Sequence, residues 1–280
     1  MSQSSLFLIA MFTKHAFLTL SFIFFKMSWA LAQQTAESPV ATNATRLKPF
    51  RVVIDPGHGG SDLGTSRDSF VESKIVYQIA QKLNDKLNLA KSRWPLTQTE
   101  LIVHLTRQEN QGLSLPERVK IANQLHADLF VSLHANSSSS QLVNGMEFYF
   151  GSDIKTPVTV LDSNRKKSPS DESVENPQDV VEKIKQELVQ FGKMKRSLEF
   201  TKTTQKQTVD QKSVIRRAPF YVIENTSMPA VLIEVGFISN RREAKKLVSE
   251  DYQNEIAQVL TQAILEYKEK SDKNFLVNEN

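Results

Sequence analysis

Short apolar runs alternate with stretches of helical periodicity along most of the chain. Between the runs, apolar residues recur every three or four positions after Glu72, Ser114 and Asn240, which is the spacing of amphipathic helices. This alternation predicts a single α/β domain over residues 49–270, with a mixed sheet of about six strands flanked by helices. The predicted strands are Val52–Ile54, Leu101–Leu105, Leu129–Leu133, Gly145–Phe150, Phe220–Ile223 and Ala230–Val235.

Histidines follow two of these predicted strands. His58 comes just after the first strand, in a turn where four of the nine glycines of the chain lie between Gly57 and Gly64. His134 directly follows the third strand. One such histidine could simply cap a loop, but open α/β sheets bind their ligands at the carboxyl ends of strands. Two strand-end histidines therefore predict one site at this edge.

Two glutamates complete the candidate site. Glu72 begins the helix after His58, where the helix dipole favours a carboxylate but where it can also turn back toward His58. Glu234 interrupts the apolar run VLIEV, and a buried carboxylate needs either a cationic partner or a chemical role. We interpret Glu147, on the fourth strand, as structural.

The set His58, Glu72 and His134 has the composition of a catalytic zinc site that keeps one position open. The chain contains no cysteine, so a metal site must use histidines and carboxylates. We expect one Zn²⁺ per chain, with Glu234 accepting and returning the proton of an attacking water. The spacing alone does not distinguish an amide substrate from an ester.

The amino terminus has the features of a secretion signal. Lys14 precedes a mostly apolar run from Ala16 to Ser28, and Ala30-Leu31-Ala32 matches a signal-peptidase site. We expect a signal peptide over 1–32, a linker over 33–48 and a short tail over 271–280. An uncleaved anchor is the alternative, but Lys26 interrupts the run, which is shorter than the roughly 20 residues a span needs. The protein is therefore expected in the periplasm or cell envelope.

Charge gives little information on partners. The net charge of +4 would fall to +2 after removal of Lys14 and Lys26. Eight lysines or arginines against two acids lie between Gly192 and Arg217, which fits either an anionic glycan or lipid surface or a solvated helix face. No segment has the pattern of a nucleic-acid-binding module, and we expect a monomer.

Seven motifs follow one another along the chain: VVIDPGHGGSDLG, VESKIVYQIAQKL, LTR, LSLPERVKIAN, ADLFVSLHAN, NGMEFYF and MPAVLIEVGFISN. In sequence and order they resemble the zinc-dependent N-acetylmuramoyl-L-alanine amidases of bacterial cell walls. The resemblance implies that His58, Glu72 and His134 bind zinc and that Glu234 is the catalytic carboxylate. The substrate would be peptidoglycan, cut between the lactyl group of N-acetylmuramic acid and the L-alanine of the stem peptide. Ser73 departs from the family, in which lysine is common there.

The long interval over 151–217 predicts an inserted loop followed by a short amphipathic helix. Asn176 and Pro177 form its expected start, and apolar residues recur after them at helical spacing. IKQELVQFGKMKRSLEF resembles the regulatory helix of the cell-division branch of these amidases. That resemblance implies septal wall splitting and an acidic side chain, Glu187 or else Glu182, over the zinc until a partner with a LytM-type domain removes it.

Two other functions remain open from the residues. A metal-free wall-binding module would keep the fold but would not need all four polar residues together. An exported zinc peptidase or deacetylase of different specificity would keep the metal, although the chain lacks the HExxH helix of common metallopeptidases.

The predicted signal peptide gives a first test. Mass spectrometry of the protein from the producing cell envelope should show a mature chain that begins near Gln33. Peptides containing Lys14 in the mature protein would instead indicate the uncleaved anchor.

Overall fold

A computed structural model describes residues 48–91, 99–151, 176–208 and 212–278, and the side chains of these residues except Lys91 and 274–278. The predicted signal peptide, nearly all of the predicted linker, and most of the predicted loop at 152–175 lie outside the described residues. No helix in the described ranges is long and apolar enough to cross a bilayer.

Eight strands and six helices make up the described chain. In order they are β1 Phe50–Pro56, β2 Ser66–Arg67, β3 Phe70–Val71, α1 Glu72–Lys91, β4 Leu101–Leu105, α2 Leu115–Gln124, β5 Leu129–Asn136, β6 Met146–Phe150, α3 Pro177–Gln207, β7 Ser213–Arg217, α4 Tyr221–Glu224, β8 Ala230–Phe237, α5 Arg241–Leu247 and α6 Glu250–Asn278.

The predicted α/β architecture is confirmed. Six strands form a mixed sheet in the order β4-β1-β5-β8-β6-β7, and β2 pairs with β3 in a separate hairpin. Strands β4, β1, β5 and β8 are parallel, β6 runs antiparallel to β8, and β7 runs parallel to β6. The carboxyl ends of β1, β5 and β8 therefore meet at one edge of the sheet.

Helices cover both faces of the sheet. On one face, α1, α3 and α6 pack on side chains such as Ile54, Val131 and Ile233. On the other, α2 and α4 pack on Phe130 and Leu232. Successive strand residues point to opposite faces, so the continuous apolar runs of the parallel strands bury side chains on both.

One expected strand was wrong. The run Phe220–Ile223 was predicted as a strand but forms the single turn of α4, and the sixth strand is β7. Lys193 lies within α3 and donates hydrogen bonds to the carbonyl groups of Ile223 at 2.6 Å, Glu224 at 3.0 Å and Thr226 at 2.6 Å, which satisfies the end of this turn. Helix α6 continues through most of the predicted tail to Asn278.

Helix α3 is longer than expected and runs along the sheet. Asn176 caps its start, as predicted, by accepting a hydrogen bond from the Gln178 backbone, and the helix extends over 31 residues. The Ser197 hydroxyl accepts a hydrogen bond from the backbone of Ala230, the first residue of β8. At its other end, Gln205 donates to the carbonyl of Ser213, the first residue of β7.

The buried ammonium of Lys193 should contribute strongly to stability. Burial lowers its pKa to about 8, so it remains largely protonated at neutral pH. Lys193→Met removes three hydrogen bonds and leaves buried carbonyl groups without them, so we expect a loss of about 2–4 kcal/mol in the free energy of unfolding. Denaturant unfolding followed by circular dichroism measures this loss.

The matched control is Lys195→Met, because Lys195 is exposed on the same helix. Its effect should stay within about 0.5 kcal/mol. Equal stabilities of the two variants would contradict the anchoring role of Lys193.

Candidate metal centre

The turn after β1 brings the backbone close to the candidate ligands. His58 has a left-handed backbone with φ of 57°. A Cβ atom on Gly57 would lie 2.3 Å from the His134 ring, and one on Gly64 would lie 2.6 Å from Glu72 Oε2. Both glycines are therefore required by close approach, and larger residues would occupy the space of the ligands.

The structure brings the three predicted ligands together. His58 Nε2 lies 3.1 Å and His134 Nδ1 lies 3.0 Å from the same oxygen, Glu72 Oε1. One donor atom from each residue lies within 4.8 Å of the other two. Two imidazole nitrogens and one carboxylate oxygen are a donor set that suits zinc. The residues present therefore fit a zinc ion.

Glu72 stays ionised at this position. Its Oε2 accepts a hydrogen bond from the Thr65 backbone at 2.8 Å, and its Oε1 accepts one from the Ala135 backbone at 3.1 Å. Burial alone would raise the pKa of Glu72, but hydrogen bonds and charge from His134 and His58 hold it well below its usual range. An ionised carboxylate is the form that binds a metal.

Asp62 orients the ring of His58. Its Oδ2 lies 2.8 Å from His58 Nδ1, which leaves Nε2 facing Glu72. Its Oδ1 accepts a hydrogen bond from the Gly64 backbone at 3.0 Å, so the turn holds Asp62 in place. Burial lowers the pKa of His58, but Glu72 and Asp62 outweigh it and raise that pKa to about 9.

Two buried arginines, which the sequence reading did not assign, hold the turn. Arg107 Nε donates to the Pro56 carbonyl at 2.8 Å and its Nη2 donates to the Gly57 carbonyl at 2.9 Å. Arg118 Nη2 donates to the His58 carbonyl at 2.6 Å. Arg107 lies in the motif LTR and Arg118 in the motif LSLPERVKIAN, and a charged residue next to apolar positions is the sequence signal that could have identified them.

The carboxylate of Asp55 balances Arg118 below the turn. Its Oδ1 accepts hydrogen bonds from Arg118 at 2.8 Å and from Thr106 at 2.6 Å, and its Oδ2 accepts one from Ser132 at 2.9 Å. All four side chains are buried. Because every partner is hydrogen bonded, this network fixes the end of β1 without an unpaired charge.

Glu234 lies beside the candidate ligands. It is opposite His134 across the β5–β8 pair and opposite Glu147 across the β6–β8 pair. Its Oε2 is buried and has no hydrogen-bond partner among the described residues. Burial, together with the negative charges of Glu72 and Glu147, raises the pKa of Glu234 to about 8. The arginine partner that a purely structural role would need is not found at Glu234 in the described part of the chain.

Comparison with known proteins decides the family. The family model described as N-acetylmuramoyl-L-alanine amidase matches residues 52–266 of this chain. The chain belongs to this amidase family. It is 30% identical over 217 residues to the N-acetylmuramoyl-L-alanine amidase LytC of Bacillus subtilis, with 77% of this chain and 35% of LytC aligned. It is 29% identical to the N-acetylmuramoyl-L-alanine amidase AmiC of Escherichia coli, with 82% of this chain and 55% of AmiC aligned.

A solved amidase structure shares the fold. The catalytic domain of CwlV, an N-acetylmuramoyl-L-alanine amidase from Bacillus (Paenibacillus) polymyxa, superimposes with a TM-score of 0.57 at 31% identity, covering 78% of this chain and 97% of that domain. The chain thus spans about a third of LytC and about half of AmiC, but nearly all of the CwlV catalytic domain.

Ser73, the departure from the usual amidase motif, has a structural role here. It is buried, and its carbonyl accepts a hydrogen bond from Arg107 Nη2 at 2.9 Å. Since this contact uses the backbone, it does not depend on the residue type at position 73.

The regulatory residues predicted from the resemblance do not lie at the metal centre. Helix α3 passes the amino end of β8 at Ser197, whereas Glu234 lies near the carboxyl end of β8. Glu187 is ten residues before Ser197, or about 15 Å along the helix in the opposite direction. Glu182 lies farther out and pairs with Lys185 at 3.5 Å.

That Glu187 or Glu182 fills the open metal position until a LytM-type partner removes it stays a prediction, and this placement gives it no support. The local sequence predicts the helix and its cap correctly, but the contacts that place the helix come from β8 and α4.

The contact between Asp62 and His58 generates a test of metal affinity. Asp62→Ala removes the group that orients the ring, and loss of such a partner commonly weakens metal binding by 10- to 100-fold, as an order of magnitude. Competition with a fluorescent zinc chelator measures the dissociation constant. Asp85→Ala, an exposed aspartate on α1, is the control and should bind zinc as the wild type does. Equal affinity of Asp62→Ala and the control would contradict the orienting role.

Proposed function

We propose that this protein is an exported peptidoglycan hydrolase that cleaves the amide bond between N-acetylmuramic acid and the L-alanine of the stem peptide. The observation that carries the proposal is the cluster of His58, Glu72 and His134 beside the unpartnered carboxylate of Glu234. The family membership supports the choice of this amide bond as the substrate.

His58, Glu72 and His134 would hold one zinc ion, and the ion would polarise the amide carbonyl and make a water nucleophilic at neutral pH. Glu234 is placed to accept the proton of this water and to donate it to the leaving nitrogen of L-alanine. The turn at His58, held by Arg107 and Arg118, keeps the imidazole in position during this exchange.

The local environments of the residues fit these roles. Glu72 is ionised and hydrogen bonded on both oxygens, as a ligand should be. Glu234 has a free oxygen and a raised pKa, which suits a group that alternates between accepting and donating a proton. A bound cation would lower the pKa of Glu234 toward neutrality, because it favours the ionised carboxylate.

The other functions fit less well. A metal-free wall-binding module gives no reason to bury Glu234 without a partner beside two imidazoles. A peptidase or deacetylase of other specificity would use the same metal chemistry, but the family match favours the muramoyl amide. The predicted signal peptide and the cell-wall relatives support action in the cell envelope, and we propose wall splitting at the septum as the setting.

Two substitutions separate metal binding from proton transfer. Glu234→Gln should retain one zinc ion per chain and lose at least about 100-fold in the rate of hydrolysis, because only the proton carrier is removed. His134→Ala should lose the zinc as well as the activity. Metal content by atomic absorption and release of free L-alanine amino groups from purified sacculi measure the two effects.

Zinc-loaded wild type that releases no amino groups from sacculi would overturn the proposed reaction. Normal turnover by Glu234→Gln would overturn the assignment of Glu234 alone.

A further inference from the structure

The face of the sheet that carries Glu234 continues past it to the sheet edge. Residues of alternate position share a face, so Leu232 and Glu234 on β8 lie on the same face as Glu147 and Tyr149 on β6. Tyr149 is opposite Arg216 across the β6–β7 pair. Val214 is the residue opposite Glu147 on β7, so polar contacts continue from Glu234 to Glu147 and then diagonally to Arg216 on the edge strand.

The outer part of this face is accessible. Helices α2 and α4 pack on Phe130 and Leu232, which lie nearer the amino ends of their strands than Glu234 does. Farther out, Val214 and Phe220 are exposed, and the Arg216 side chain is 52% exposed. We call Glu147, Tyr149, Val214, Arg216 and Phe220 the β6–β7 surface.

Glu147 and Arg216 form the charged centre of this surface. Arg216 Nε and Nη2 each lie 3.0 Å from Glu147 Oε1. The other oxygen, Oε2, accepts hydrogen bonds from Tyr149 at 2.7 Å and from Asn136 at 2.9 Å. Glu147 is thus held from three sides, and it fixes the position of the guanidinium. A guanidinium has five N–H donors, so donors remain on the exposed side of Arg216 for an anion.

We propose that Arg216 binds a carboxylate of the stem peptide, the first one that follows the L-alanine. This subsite rests on the proposed amidase function. β7 is two strands from β8, which places the Arg216 backbone about 10 Å from that of Leu232, which is in register with it on β8, and the Arg216 side chain reaches back toward Glu147, the residue opposite Glu234. An extended peptide advances about 3.5 Å per residue, so the second residue after the cut bond reaches this surface.

The geometry gives Arg216 a role beyond neutralising Glu147. A lysine or a buried arginine would be enough to balance the charge of Glu147. The Arg216 side chain is instead half exposed, and Glu147 connects it to Glu234 beside the candidate ligands. Planar guanidinium groups recognise carboxylates in a two-bond geometry, and a group held in advance loses little entropy on binding. The exposed ring of Phe220, 5.1 Å from the ring of Tyr149, provides an apolar border for the peptide.

Two synthetic muramoyl peptides test the subsite. They differ only in the second residue from the scissile bond, which carries a carboxylate in one and the matching carboxamide in the other. Zinc-loaded wild type should hydrolyse the carboxylate compound with a kcat/KM at least about tenfold higher, mainly through a lower KM, because the contact is remote from the reacting bond. Arg216→Gln should hydrolyse the two compounds equally, and Arg216→Lys should show an intermediate preference.

The ratio between the two compounds isolates the subsite. Breaking the Glu147–Arg216 pair can change the environment of Glu234, but that change affects both compounds alike and cancels in the ratio. Arg217→Gln is the matched control, because Arg217 is the next residue of β7 and lies over the Phe150 ring at 5.5 Å. It should keep the preference of the wild type.

Two results would contradict the subsite, and a third would contradict the proposed function. A wild type without preference, or an Arg216→Gln variant with the full preference, would overturn the subsite. Failure of the wild type to hydrolyse either compound would instead overturn the proposed function on which the subsite rests.

Discussion

The candidate site depends on how the glycine-rich turn after β1 is held. The carbonyl groups of Pro56, Gly57 and His58 lie beside buried side chains and accept hydrogen bonds from Arg107 and Arg118. Unsatisfied carbonyls there would be costly, and two rigid guanidinium groups satisfy them from different directions. Because the backbone is fixed, His58 keeps its left-handed conformation and its ring faces Glu72. The candidate ligand His58 is thus positioned by two arginines that contact the backbone of its turn and not its ring.

The carboxylates of Glu72, Glu147 and Glu234 lie at this edge of the sheet. They differ in their hydrogen-bond partners, and these partners suit them to different roles. Glu72 has backbone and imidazole donors on its oxygens, so it stays ionised. Glu147 is balanced by Arg216. Of the three, Glu234 has a buried oxygen without a partner, and burial raises its pKa to about 8. Surroundings alone thus suit chemically identical groups to the three roles we propose, a metal ligand, a positioning residue and a proton carrier.

The sequence predicted the core of the site because buried parallel strands leave a simple pattern. Near the carboxyl end of each of β1, β5 and β8, a polar residue follows or interrupts an apolar run. This pattern led to the prediction of His58, His134 and Glu234 as site residues. Strand β7 was missed because an edge strand buries few side chains, and its sequence SVIRR lies in a basic stretch. The wrong strand at Phe220–Ile223 is four residues long, too short for any periodicity, and its helical turn depends on the distant Lys193.

The resemblance of helix α3 to a regulatory helix rests on local sequence and does not determine where the helix lies in the fold. Its cap and periodicity are local properties, so the sequence predicted that a helix begins at Asn176. Its position is set by Ser197 at the amino end of β8 and by Gln205 at the start of β7, and these contacts direct its first half away from the metal centre. The face beside Glu234, where β6 and β7 meet the solvent, is therefore the surface on which we propose that the substrate is selected.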